Sequence, residues 1–266
     1  MDPRDRHVLL TGASSGIGRA TALVLARRGA KLSLAARRQP ELEKVVAECR
    51  SLGADCVAIA ADVSSREECE RLVAGAEARF GPVEILINNA GFAIFDPIAE
   101  ATPADLESMM ATNYFGTLWC SRAVLGGMIS RREGAIVNVG SIAGIMGFER
   151  MGGYCATKFA VAGLTEALRA EAMRHGIRVS LVAPGTTATD FFVTAERGKM
   201  PGASRLMLAI PPEKVAKTIL AAIESGSRRK IVPLGALLFM RLKEIVPGAA
   251  HFLMRHVSSW IERSRR

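Results

Sequence analysis

Short apolar runs alternate with amphipathic stretches along most of the chain. Runs at 8–10, 31–36, 56–61, 83–87, 134–139, 178–182 and 230–232 are rich in Val, Ile, Leu and Ala and predict seven strands. Between them, apolar residues recurring at three and four predict helices over 17–28, 40–52, 66–80, 104–128, 154–174 and 213–224. The helix over 40–52, for example, gathers Leu42, Val45, Val46 and Cys49 on one face. Gly29 is a stop for the first helix and Gly81-Pro82 for the third. The helix over 104–128 is long enough to bend near Gly116. Apolar strands alternating with helices imply an α/β fold, with a parallel sheet covered on both faces and right-handed crossovers. With no repeat and no Pro/Gly/Ser linker, one doubly wound domain over 1–232 is expected. Residues 185–211 are Thr-, Gly- and Met-rich with weak periodicity, and read as a mobile insertion above the sheet. Residues 233–266 form a separate tail of two amphipathic helical segments.

Composition narrows the class. Hydrophobic residues make up 49% of the 266 and charged residues 23%, which suits a large core and excludes a disordered chain. Glycine has no period, so collagen-like and low-complexity classes are excluded as well. The five cysteines (Cys49, Cys56, Cys69, Cys120 and Cys155) show no CxxC spacing and no nearby His cluster. Neither a disulfide framework nor a metal site is expected, and a reducing, cytoplasmic setting fits. The four histidines lie outside every motif.

The net charge of +9 is concentrated in the tail. Residues 227–266 carry nine basic and two acidic side chains, a net +7, which leaves +2 for the first 226. A basic tail is little reason to expect a nucleic-acid partner, and none is expected. A basic amphipathic helix carrying Trp260 also has the composition of a membrane-surface anchor, while packing on the domain or on a second subunit is the plainer reading. The opening MDPRDRHVLL is too short of apolar residues for a signal peptide. The apolar stretch at 231–240 has ten residues, where a membrane span needs about 20.

The first strand runs into Thr11-Gly12-Ala13-Ser14-Ser15-Gly16-Ile17-Gly18, which opens a helix. That context suits a dinucleotide: glycines let backbone N–H groups approach a pyrophosphate, and the helix N-terminus stabilises its charge. A turn that merely needs positive φ would use the same glycines. Enzymes that use NAD place an acid about 20 residues beyond the glycines, on the ribose hydroxyl. Here that place holds Arg37 and Arg38, which suit a 2′-phosphate and hence NADP(H), unless they are plain solvated charges.

Further on, Tyr154 and Lys158 lie four apart on one helix face, with Ser141 just past the fifth strand. Asn88-Asn89-Ala90-Gly91 follows the fourth strand, and Asn113 lies in the long helix. Taken in order with the glycine turn, this set resembles the short-chain dehydrogenase/reductase family over roughly residues 6–232. The resemblance implies a Rossmann-like domain with a seven-stranded parallel sheet. It implies pyrophosphate contacts from Gly12, Ser14, Ser15, Gly16, Ile17 and Gly18, and adenine contacts from Asp62 and Val63. Asn89, Ala90 and Gly91 would brace the sheet beside the adenine ribose. Pro184, Gly185, Thr187 and Thr189 would hold the nicotinamide carboxamide. Tyr154 and Lys158 would also meet the cofactor. The family's catalytic tetrad maps to Asn113, Ser141, Tyr154 and Lys158. Gly140, where the family often has Ser, and Cys155, where Ser or Gly is common, depart from the pattern without removing a tetrad member.

Residue chemistry fits that assignment. The Tyr154 phenol would act as general acid and base. Lys158 and an oxidised nicotinamide would favour its phenolate. Ser141 would donate to the substrate oxygen. Asn113 would hold a water that passes protons to Lys158, or would only distort its helix. The insertion, with Phe191, Phe192, Met200 and Leu206, would cover an apolar pocket, with Ile94, Phe95, Met146, Phe148 and Met151 at its mouth. Ser141, Tyr154, Phe191 and Phe192 are the expected substrate contacts. The reading is an NADP(H)-dependent oxidoreductase interconverting a carbonyl and a secondary alcohol on a lipid-like, steroid-like or aliphatic substrate. The alternative is a catalytically idle NADP(H)-binding regulator or membrane-peripheral scaffold. By resemblance the chain forms a homodimer or homotetramer through the helices over 104–128 and 154–174. Ala160, Val161, Leu164 and Leu168 either serve that interface or face the sheet.

Overall fold

The computed structural model describes residues 1–189, 191, 209–233 and 235. Its seven strands are β1 (His7–Thr11), β2 (Lys31–Ala36), β3 (Cys56–Ala60), β4 (Ile85–Asn88), β5 (Gly134–Val139), β6 (Ile177–Pro184) and β7 (Arg229–Val232). They form one sheet in the order β3-β2-β1-β4-β5-β6-β7, every neighbouring pair parallel. The helices are α1 (Gly16–Ala26), α2 (Gln39–Ser51), α3 (Arg66–Phe80), α4 (Pro103–Met110), α5 (Gly116–Arg131), α6 (Gly152–Met173) and α7 (Pro212–Ser225). The Rossmann-like doubly wound sheet is as expected; the helical tail over 233–266 lies almost entirely outside the described residues.

Strand alternation builds two cores. On β1, Val8 and Leu10 face one side and Leu9 the other; on β4, Ile85 and Ile87 oppose Leu86. The first side packs against α1, α2 and α7 through Leu25, Val45 and Ile219. The second packs against α3, α5 and α6 through Leu72, Val124 and Leu168. A strand buried on both faces is apolar at most positions, which is why these runs show no regular alternation with polar residues.

The stretch expected as one bent helix over 104–128 is instead two. A five-residue π-helical turn, Ala111–Phe115, joins α4 to α5 immediately before Gly116. The wider turn accommodates an extra residue, and its buried member is Asn113. A 3-10 turn at Ile142–Gly144, also unanticipated, follows β5. Val161 and Leu168 are buried against the body of the domain, whereas Phe159 on the same helix is 46% exposed.

Candidate active site

The sheet order reverses at β1, whose neighbours are β2 and β4. Connections leave the sheet in opposite directions there and open a crevice at the carboxyl ends of the strands. The glycine turn fills one wall. Gly12 has φ +65°, and a Cβ on it would lie 2.7 Å from the Ala90 Cα. Asn89 closes the other wall onto this turn. Its Nδ2 donates to the Thr11 carbonyl at 3.0 Å and the Gly12 carbonyl at 3.1 Å. The Thr11 hydroxyl accepts from the Asn89 and Ala90 amides, both at 3.1 Å. Asn89 thus makes three of the four bonds that cross the switch point, and the Ala90 amide makes the fourth.

Helix α1 starts here with no side-chain cap and no acid in its first turn, so its leading amides and positive dipole end face the crevice. Arg38, at the end of β2, reaches both Ser14 and Ser15 hydroxyls at 3.4 Å. Asp62 folds back on itself, accepting from the Ser64 amide at 3.0 Å and its hydroxyl at 2.8 Å, and presents Val63 beside it. Every residue expected to hold the dinucleotide lines one cleft of about 470 Å³. Uncapped helix amides, a turn whose glycines allow close approach, and the Arg38 guanidinium at one end suit the pyrophosphate of a dinucleotide.

Ser141, Tyr154 and Lys158 line the other end of the same cleft. Ser141 follows β5 in an extended conformation and caps the 3-10 turn, its Oγ accepting from the Ala143 amide at 3.1 Å. Tyr154 and Lys158 stand on the buried face of α6, 6% and 5% exposed. Lys158 donates to the Val139 carbonyl at 3.2 Å. Burial lowers its pKa from the ordinary lysine value to about 8. Burial pushes the Tyr154 phenol above its ordinary range, and a hydrogen bond with Ser141 pulls it back. Desolvation is the larger of the two effects. Phe95 packs edge-on to the Tyr154 ring at 6.4 Å, and Phe191 tilts against it at 5.8 Å. Phe148 and Met151 line the mouth as expected. Ile94, Phe95 and Met146 do not; Phe95 and Met146 are buried beneath it. Phe192, Met200 and Leu206 lie outside the described residues. Thr187 and Ala188 pair with Ile210, so the two described ends of that segment meet beside the cleft.

Asn113 does not line the cleft. Its Oδ1 accepts from the Phe92 amide at 2.9 Å, and its Nδ2 donates to the Phe92 carbonyl at 2.9 Å and the Thr157 hydroxyl at 3.0 Å. Both amide protons are thus spent on structure. Gly140, one of the two departures from the family pattern, packs on β6: a Cβ there would lie 2.9 Å from Leu181 Cδ1. Phe92, Thr112 and Ile142 also line the cleft, although no motif singled them out. Phe92 and Ile142 directly follow motif residues, and adjacency alone would have found them.

Residues 6–199 match the family model described as short chain dehydrogenase. An uncharacterized oxidoreductase of Bacillus subtilis is 34% identical over 91% of this chain and 71% of its own. The NADP-dependent 3-hydroxy acid dehydrogenase of Schizosaccharomyces pombe is 35% identical over 88% of this chain and 92% of its own. Among solved structures, a short chain dehydrogenase/reductase from Burkholderia phymatum in complex with NAD superimposes with a TM-score of 0.85 at 28% identity. That match covers 92% of this chain and 95% of the other.

Proposed function

The chain belongs to the short chain dehydrogenase family of oxidoreductases, and on that premise we propose that it moves hydride between NADP(H) and an apolar carbonyl or secondary alcohol. The observation that carries the reading is the convergence of Ser141, Tyr154 and Lys158 on the cleft whose far end holds the glycine turn and Arg38. Related proteins are known with either cofactor, so the choice of NADP(H) rests on Arg37 and Arg38. Gly12, Ser14 to Gly18 and the α1 amides would hold the pyrophosphate, Arg37 and Arg38 the 2′-phosphate, and Asp62 and Val63 the adenine. Asn89 to Gly91 would back the ribose, and Pro184, Gly185, Thr187 and Thr189 would meet the carboxamide.

Reduced nicotinamide, when bound, supplies the hydride. The chain supplies the proton and the environment. Tyr154, kept protonated by burial, gives its phenolic proton to the carbonyl oxygen. Ser141 donates to the same oxygen and stabilises the charge that develops there. Lys158 places a cation next to the phenol it helps to recharge. Asn113 acts as a brace and, through the oxygen it turns toward Lys158, as one wall of a water site. Phe148, Met151, Phe191 and Phe192 would exclude water and favour a lipid-like, steroid-like or aliphatic chain.

The catalytic unit on this reading is 1–232, with the tail apart. Phe115, which ends the π-helical turn before α5, is 39% exposed and stacks on Trp119 of α5 at 5.8 Å; this pair and Phe159 on α6 mark the faces through which a dimer or tetramer would form. A cytoplasmic setting fits the five free, buried cysteines. None of the described helices is long and apolar enough to cross a membrane.

Stopped-flow and steady-state assays with NADPH and a carbonyl panel, from short ketones to long-chain 3-oxo lipids, test the proposal. Turnover on apolar carbonyls is expected. Tyr154→Phe should cost ~10²–10⁴-fold in kcat and leave NADPH binding unchanged. NADPH binding with no turnover on any carbonyl would favour the idle regulator instead.

A further inference from the structure

We infer that Thr157 is a positioning residue for the reaction proposed above, linking the π-helical turn to the helix that carries Tyr154 and Lys158. Thr157 is fully buried and does not reach the cleft. Its hydroxyl has two partners. It donates to the Tyr154 carbonyl, three residues back, at 2.8 Å, and accepts from Asn113 Nδ2 at 3.0 Å. One oxygen thus ties the first turn of α6 to the widened turn before α5.

The link has a chemical consequence because an amide has two different ends. With one N–H spent on Thr157 and the other on the Phe92 carbonyl, the Asn113 oxygen can point only one way. That way is toward Gly91 and Lys158: a Cβ on Gly91 would lie 2.9 Å from Asn113 Oδ1 and 3.4 Å from Lys158 Nζ. The oxygen and the ammonium therefore face one small gap, kept open by the missing side chain at Gly91. Without the Thr157 hydroxyl, one buried N–H loses its acceptor, and the amide is left on its two bonds to the Phe92 backbone, with nothing tying it to α6. The dipole beside Lys158 and the placement of Tyr154 on α6 then loosen together.

A helical threonine commonly returns its hydroxyl to its own helix, as Thr165 does to the Val161 carbonyl at 2.6 Å. Thr165 also accepts from Asn138 on β5 at 2.9 Å, two helical turns beyond Thr157. The buried face of α6 is thus pinned by two threonine–asparagine bonds, one to the sheet and one to the π turn. Only the second lies between the proposed catalytic pair.

The test compares full-length wild type, Thr157→Val and Thr157→Ser with NADPH and the best carbonyl of the panel. Thr157→Val keeps the shape and removes the hydroxyl; Thr157→Ser keeps the hydroxyl. Thr157→Val is expected to lower kcat at least tenfold with the KM for NADPH within twofold of wild type. Thr157→Ser is expected to retain at least half of kcat. If Thr157→Val does not fold, Thr157→Cys replaces it, since Cys and Ser differ chiefly in hydrogen-bonding strength. Equal kcat in the hydroxyl-bearing and hydroxyl-free variants, with wild type active, overturns this inference alone. Absence of turnover in wild type overturns the reading of the site and this inference with it.

Discussion

Gly18 and Gly12 meet so closely across the first turn of α1 that a Cβ on Gly18 would sit 2.1 Å from the Gly12 carbonyl oxygen. That oxygen is itself held by Asn89 at 3.1 Å and has no freedom to retreat. Gly18→Ala should therefore push α1 off the turn, abolish saturable NADPH binding and lower the melting temperature. Gly75 is the opposite case. It lies on the exposed side of α3 with nothing within 4 Å of an added Cβ. Gly75→Ala should raise stability by about 0.5–1 kcal/mol, the helix-propensity difference alone. Thermal unfolding and NADPH titration of both variants check the pair. Equal behaviour would show that the close approach is not what the cradle depends on.

Arg38 reaches the turn from the neighbouring strand, and its guanidinium sits between the Ser14 and Ser15 hydroxyls. A phosphate added to the adenosine ribose would meet that charge, and removing it should cost NADPH far more than NADH. Exposed or half-exposed charge pairs with phosphate are bidentate at best, so one arginine is worth about 1.5–3 kcal/mol, or roughly ten- to a hundredfold in Kd. Arg38→Asp adds repulsion and should reverse the preference. Dissociation constants for both cofactors, by nicotinamide fluorescence, decide this. A wild type that binds NADH and NADPH equally would remove the basis for assigning NADP(H).

What was legible beforehand is whatever repeats at short range. The strand over 134–139 follows from its own residues, and β5 has those ends. The glycine turn and the Tyr154/Lys158 spacing are also local patterns, and both ends of the cleft follow from them. What escaped depends on contacts between distant segments. The π turn exists where Asn113 meets Phe92, 21 residues away, and Thr157, 44 residues away. Nothing near Thr157 in the chain announces that partner. The same holds for Val161 and Leu168: helical spacing puts them on one stripe, but only packing shows that the stripe faces inward. Phe159, two residues before Val161, faces out.

Burial holds the Tyr154 phenol above its ordinary range and brings Lys158 down to about 8. The two shifts act on the two directions of the reaction differently. Carbonyl reduction needs the protonated phenol and the ammonium beside it. Both are present at pH 6–7, so reduction should be fastest there and fall as Lys158 loses its proton above about pH 8. Alcohol oxidation needs the phenolate as proton acceptor, and because burial holds the phenol above its ordinary range the oxidative rate should still be climbing at pH 10. Initial rates in both directions from pH 6 to 10, with saturating cofactor, check the crossing. A reductive rate that climbs steadily to pH 10 would show that neither group donates as assigned.

His7 gives an independent prediction, far from the cleft at the start of β1. It is 1% exposed and lies edge-on to Phe80 at 5.5 Å. Its Nδ1 lies 2.8 Å from the Gly81 carbonyl, which can only accept, so Nδ1 carries the proton. Nε2 is then the acceptor for the Ser33 hydroxyl at 2.9 Å. The neutral ring satisfies both contacts; a charged ring would have to be buried. Desolvation accordingly lowers its pKa below 6.5, against the smaller opposing pull of the Gly81 carbonyl. A histidine whose folded-state pKa is depressed takes up its proton more readily when unfolded. Stability is therefore full above pH 6.5 and is lost as the pH falls below that value toward the folded-state pKa. His7→Asn gives up about 1 kcal/mol of hydrogen bonding at every pH, but it carries no titrating group. Its unfolding free energy should therefore change less between pH 7.5 and 5.5 than that of wild type. Urea unfolding at the two pH values measures the difference. Parallel losses in the two proteins would place the acid sensitivity elsewhere in the molecule.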